Sequence, residues 1–182
     1  MSEKLQQIIN KQQNQMSPDE ENMENIVQLV GFVVGEEEFS VPILSIQEII
    51  KPIEWTRVPR TPAYVLGVFN LRGTVIPLID LRLKFGLPSE AMTDNSRFIV
   101  MKNATETAGF VIDRLTEAIR LKKHEIGPAP ETSMQEKTMI EGVGKQDDKI
   151  LTILKVDKML ERDFSLSSSQ PAAMKQSYFI LL

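Results

Sequence analysis

Between Val65 and Phe85 the chain reads VLGVFNLRGTVIPLIDLRLKF, and this stretch restricts the fold more than any other. Two apolar runs, Val65–Leu71 and Val75–Leu81, flank Arg72-Gly73-Thr74. β-branched and aromatic residues dominate both runs, which suits a pleated, partly buried ribbon. Gly73 supplies a backbone angle that larger residues resist, so the stretch reads as a hairpin with a tight connection. Pro77 has no N–H to give to a ladder, which places the second strand at an edge or at a bulge. Asp80 is placed to cap one helical turn running to Phe85. Gly86 ends that turn and Pro88 prevents its continuation. Arg72 therefore stands at the tip of an apolar ribbon, either as a solvated turn residue or as a contact for another molecule.

Upstream, residues 1 to about 25 are rich in Gln, Asn and Glu and read as a mobile arm or as a docking segment. Ile26–Val34 reads as a strand, Gly35-Glu36-Glu37 as a turn and Glu38–Val41 as the return strand. Behind Pro42, Ile43, Ile46 and Ile50 recur at helical spacing, which predicts a short helix ending by Lys51, before Pro52. Glu48 then projects from another side of that helix, pairing at most weakly with Lys51. Pro52, Pro59 and Pro62 hold the next segment extended, and Trp55 is expected to pack on the core. Downstream, RFIVMK and AGFVIDRL form a second hairpin, Ala118–Lys122 a further strand, and GPAPE a rigid loop. Thr132–Thr138 reads as polar and mobile. A third hairpin surrounds QDDK, and Asp157 is placed to cap a terminal helix. The tail ends in the apolar stretch Tyr178–Leu182, for which the chain offers no obvious partner. Many short strands separated by turn signals indicate an all-β sandwich or barrel.

The balance of charge and reactive residues narrows the function. The net charge of −4 lacks the basic footprint of a nucleic-acid binder. The absence of cysteine removes disulfides, thiolate zinc sites and thiol nucleophiles, and is compatible with a cytosolic home. No apolar run is long enough to span a membrane, and the first residues lack a secretory h-region. The lone histidine, His124, sits among Lys123 and Glu125 with no serine in a nucleophile-elbow context. One histidine leaves no transition-metal site, and Asp147-Asp148 lacks the alternating ligands of a calcium loop. Gly142-Val143-Gly144-Lys145 lacks the preceding glycine and the following Ser or Thr of a phosphate loop. Carboxylates such as Asp80 and Asp113 have the chemistry of an acid/base pair, but nothing in the sequence brings them face to face and Asp80 already has a capping role. No cofactor is expected. An interaction module and a small β-barrel enzyme are the two classes left, and the stiff hairpins and surplus apolar residues favour the first.

The series GEEEFSVPILSIQEIIK, TRVPRTPAYVLGVFNLRGTVIPLIDLRLKFGL, AGFVIDRLTEAIRL and PAPE resembles bacterial chemotaxis coupling proteins of the CheW type, from about Val27 to Phe164. The NLRG-x-x-x-P-x-x-DLR signature is its most specific part. The resemblance implies an all-β fold of two SH3-like five-stranded β-barrels sharing an apolar seam, with short helices. The expected organisation is an arm over 1–25, a CheW-like domain over 26–164 and a tail over 165–182. The barrel subdomains meet near Ser89, and their strands need not divide cleanly there. With no receiver domain after it, the chain is expected to be a stand-alone coupling protein. The resemblance further implies no catalysis and no cofactor or metal. The implied partners are the CheW-like regulatory domain of the histidine kinase CheA, the cytoplasmic tips of methyl-accepting chemoreceptors, and other coupling proteins in rings. Nucleic acid and direct membrane insertion are not implied, and the implied location is the cytoplasm, at receptor arrays on the inner face of the membrane. A CheW-like scaffold in a related receptor–kinase pathway is the alternative. By motif position, Arg72 and Glu48 are the polar residues implied at partner surfaces. Ile46, Gly67 and Gly109 match positions linked to receptor contact, and the two glycines have a second reading as bulges or close backbone approaches.

Overall fold

Ile26–Val34 (β1) and Glu37–Pro42 (β2) form the first ribbon of the computed structural model, which describes residues 25–129, 138–146 and 149–161. The N-terminal arm before residue 25, residues 130–137, Asp147-Asp148 and the tail from residue 162 lie outside the described residues. A 3-10 turn, Ile43–Ser45, leads into Ile46–Ile50 (β3). The central hairpin follows as Val65–Leu71 (β4) and Thr74–Asp80 (β5), then Leu81–Lys84 (α1). Arg97–Lys102 (β6), Thr107–Ile112 (β7) and Arg114–Lys122 (β8) come next. Ile126–Gly127 (β9), Ile140–Gln146 (β10), Lys149–Leu154 (β11) and Val156–Leu160 (α2) complete the order.

The strands make a six-stranded sheet, β8-β1-β2-β11-β10-β9, and a five-stranded sheet, β3-β6-β7-β5-β4. Both sheets repeat one pattern. Antiparallel neighbours run to a single parallel step, Phe39 beside Thr152 in one and Gly109 beside Leu78 in the other, and an antiparallel hairpin follows. The five-stranded sheet takes all its strands from 46–112. The six-stranded sheet joins β1 and β2 to strands from 114–154, so it is built from both ends of the described chain. The polar connection around Ser89 joins α1 to β6 inside the five-stranded unit. The chain changes sheet instead at Pro42–Ile46 and at Asp113.

The helix expected behind Pro42 is not there. Only the 3-10 turn forms, and Ile46–Ile50 is a strand paired with β6. The register slips between Ile46, opposite Met101, and Glu48, opposite Val100. A bulge of this kind inserts one residue, so Ile46 and Ile49 reach the same core although three positions apart. That spacing imitates a helix, while the β-branched residues favour the strand.

The hairpin has the expected form. Arg72 and Gly73 occupy its two-residue turn with φ of 52° and 89°, and the Asn70 side-chain oxygen accepts from the Gly73 N–H at 2.7 Å. Two positive φ values suit the right-handed twist of the flanking strands. Pro77 sits on an internal strand, not an edge or a bulge. Val68, its partner across the hairpin, turns its N–H and carbonyl outward to Thr56, at 2.8 Å each. The Pro77 nitrogen therefore faces the β7 side, where pairing begins only at Leu78, and no ladder bond is lost.

Asp80 caps α1. Its Oδ1 accepts from the N–H groups of Arg82 at 2.8 Å and Leu83 at 3.3 Å. Asp80→Ala is expected to lower stability by about 1 kcal/mol, read from the midpoint of urea unfolding. Asp157 is not a cap. Val156 is buried and draws the start of α2 back to a Lys155 cap, and Asp157 accepts instead from the Asn103 side chain at 2.8 Å. Trp55 covers the rim of the core without entering it. It lies edge-on to buried Phe98, with ring centroids 6.2 Å apart, and stays 41% exposed.

Each sheet owns a private core. Phe69, Ile76, Leu78, Phe98, Val100 and Val111 fill the five-stranded unit, and Leu29, Ile119, Leu121, Leu151 and Ile153 the six-stranded one. Between them runs a shared seam, where Phe32, Val41, Leu154 and Met159 from one unit meet Leu81, Ile99, Met101 and Phe110 from the other. β6 shows the arrangement most plainly. Phe98 and Val100 point to the private core and Ile99 and Met101 to the seam, as two-residue alternation requires.

Candidate functional site

β3 and the β4–β5 hairpin hold opposite edges of the five-stranded sheet, so a contact between them requires the sheet to curl on itself. Glu48 and Arg72 make that contact. The Arg72 guanidinium donates to Glu48 Oε1 at 2.7 Å. The arginine side chain is 79% exposed and the glutamate 26%. The left-handed backbone at Arg72 turns its side chain out of the hairpin, and the bulge in β3 sets where Glu48 emerges. The expected Glu48–Lys51 pairing gives way to this long-range pair. Such an exposed pair contributes only about 0–1 kcal/mol to stability.

Ile46 lies on the same strand as Glu48 but packs partly buried against the seam. The two glycines are buried and sit elsewhere. Gly67 lies where the register of β4 slips, and a Cβ there would stand 2.1 Å from the Thr56 carbonyl oxygen. Gly109 lies in β7 beneath a ring, and its Cβ would stand 2.6 Å from Phe69 Cε1. Both have the close-approach geometry of their second reading.

Two features escaped the sequence reading. Leu44, in the 3-10 turn between the sheets, is 93% exposed, with the partly exposed Ile43 beside it. A helix would have hidden both on its apolar face. The second is an ion-pair junction at Asp113. Its carboxylate receives Arg82 Nε at 3.0 Å to each oxygen and Arg82 Nη2 at 2.8 Å, together with the Gly35 N–H at 2.7 Å. The hydrogen bond that Arg82 donates to Asp113, reinforced by the charges of Asp113 and Glu90, holds the Arg82 pKa above its ordinary value. Asp80 and Asp113 are thus committed, one to a helix cap and one to an arginine, and do not form an acid/base pair. His124 lies exposed in the 3-10 turn Lys123–Glu125, and Gly142–Lys145 is strand paired with its neighbours and not a loop. Among the described residues no group of three or more His, Cys, Asp or Glu is placed to hold a metal ion, and no helix is long and apolar enough to cross a membrane.

Comparison with known proteins agrees with this arrangement. Residues 28–164 match the family model of the CheW-like domain. The chain is 49% identical over 165 residues to the chemotaxis protein CheW of Helicobacter pylori, covering 90% of this chain and all of that one. It is 33% identical to the chemotaxis protein CheW of Klebsiella aerogenes, over 72% of this chain and 80% of that one. The solved scaffolding protein CheW of Thermoanaerobacter tengcongensis superposes with a TM-score of 0.67 at 32% identity, covering 71% of this chain and 88% of that chain. The matched region takes in both sheets, the seam and the Arg72–Glu48 pair, and the fold is the all-β architecture of paired SH3-like units. The chain belongs to the CheW family of non-catalytic chemotaxis coupling proteins.

Proposed function

We propose that this chain couples chemoreceptors to the histidine kinase CheA by holding both at once, with no bond made or broken. The observation that carries the reading is the exposed Arg72–Glu48 pair at the hairpin tip. Glu48 steadies one edge of the guanidinium, and the remaining donors of its fork stay open to a carboxylate or carbonyl on another molecule. The exposed Leu44 and Ile43 supply apolar surface of the kind partner contacts use. Ile46, Gly67 and Gly109 support the partner-facing surface from within, through packing. Each contact needs only micromolar strength, about −8 kcal/mol, because an array adds avidity. The place of action is then the cytoplasmic end of the receptors, in rings with the kinase.

The test is co-sedimentation with receptor-bearing membranes and with the kinase, singly and together. Arg72→Glu is expected to lower partner affinity about ten-fold, or about 1.4 kcal/mol. The melting temperature should fall by less than about 3 °C, because an exposed pair adds little stability. Receptor-dependent kinase activation should fall in parallel. Adding Glu48→Arg re-forms the pair with the charges exchanged. A partner that reads the arginine directly stays weakly bound by this double variant, whereas a partner that needs only an intact pair is restored. Unchanged sedimentation and activation by a folded Arg72→Glu variant would remove the pair from the coupling surface.

A further inference from the structure

The seam between the sheets is apolar, and apolar contact is adhesive without being directional. It holds the two units together, and directional polar contacts at its ends add orientation to that adhesion. Directional contacts across the seam occur at both ends of β7, and they are unequal. At the far end stands Asp113, the single residue between β7 and β8. Its N–H donates to the Val33 carbonyl at 3.0 Å, and its carboxylate takes the Gly35 N–H at 2.7 Å, both from the β1–β2 ribbon of the six-stranded sheet. The same carboxylate takes the planar fork of Arg82 from α1, which belongs to the other sheet. Arg82 is only 15% exposed and also reaches Glu90 at 3.1 Å, so its plane is fixed from two sides. A bidentate arginine–carboxylate pair constrains orientation as well as distance. At the near end, about 20 Å away along the strand, the backbone crosses at Pro42–Ile46 with no charged fork beside it among the described residues, and the side chains meet through an exposed hydrogen bond from Asn103 to Asp157. Beside it lies a cleft of about 470 Å³ with walls from both units, among them Lys102 of one and Glu141 and Lys155 of the other.

We infer that the Arg82–Asp113–Gly35 junction is a fixed pivot that sets the angle between the two sheets, and that the Asn103–Asp157 end is the one that gives. The inference concerns the isolated chain and needs no partner, so its failure leaves the coupling role untouched. The chain has no cysteine, so spin labels go only where cysteines are introduced. Val75→Cys on the five-stranded sheet and Arg120→Cys on the six-stranded sheet give one exposed label on each. The inter-label distance distribution is then measured by pulsed electron resonance in this parent, in Asp113→Asn, in Arg82→Lys and in Asn103→Ala. Losing the fork is expected to make the distribution about twice as wide in the first two variants, while Asn103→Ala matches the parent. A parent-like width in folded Asp113→Asn and Arg82→Lys overturns the inference. So does equal broadening by Asn103→Ala. If neither junction variant folds, the junction supplies strength and not angle, and the inference falls as well.

Discussion

Gly67→Ala is expected to destabilise the chain by about 3 kcal/mol or more, a cost typical of forced overpacking against backbone. The added methyl would lie 2.1 Å from the Thr56 carbonyl oxygen, 2.7 Å from its carbon and 2.9 Å from Arg57 Cα. None of these atoms is the end of a flexible side chain. Relief requires parting the reciprocal Thr56–Val68 bridge, whose two hydrogen bonds are both 2.8 Å. For a chain of this size the melting temperature should drop by about 6–12 °C, followed by far-ultraviolet circular dichroism. Gly73→Ala is the control. Its Cβ meets nothing within 4 Å, and only the φ of 89° resists it, at about 1–2 kcal/mol. Equal losses for the two variants would show that backbone angle, and not the close approach, governs Gly67. The contrast also bears on function. Lost coupling in a Gly67 variant means little until it is scaled to the fraction folded, a correction that Arg72→Glu should not need.

Phe110→Ala should cost about 3–5 kcal/mol, the range for removing a fully enclosed phenylalanine. The ring is wholly buried in the seam, on a strand that pairs with both β5 and β6. Because the seam draws on both sheets, the loss should appear everywhere at once. Trp55, the only tryptophan, reports on the five-stranded unit through its contact with Phe98, and circular dichroism reports on both sheets. The two urea curves should shift together and remain superimposed. Separate midpoints would mean that the sheets unfold as independent units and that the seam is a weak joint.

How much of this was legible in the sequence depended on how far apart the interacting residues lie. The hairpin turn, the Asp80 cap and the Gly86 stop were readable because each is a local signal spanning a few positions. The strand Ile46–Ile50 was misread because its bulge breaks the two-residue alternation that would have announced it. The Asp157 cap failed for a different reason: burial of Val156 outweighed a local preference. Resemblance to a family brought Glu48 and Arg72 forward singly, but their pairing depends on the sheet curling on itself. The Arg82–Asp113 junction joins residues 31 positions apart, and no local pattern marks it. The burial of Gly67 and Gly109 likewise appears only once Thr56 and Phe69 are placed over them.

The origin of the six-stranded sheet from both ends of the described chain has a consequence for synthesis. As the polypeptide leaves the ribosome, β1 and β2 emerge first, with Phe32, Phe39 and Val41 ready for burial. The five-stranded unit can close as soon as residue 112 is out. The free edge of β2 must wait for β11, more than a hundred residues later, which at ordinary elongation rates is on the order of ten seconds. For the last part of that interval a sticky, half-finished ribbon stands beside a completed neighbour. Nascent chains stalled between Lys122 and Lys149 should therefore be the form of this protein that most needs a chaperone.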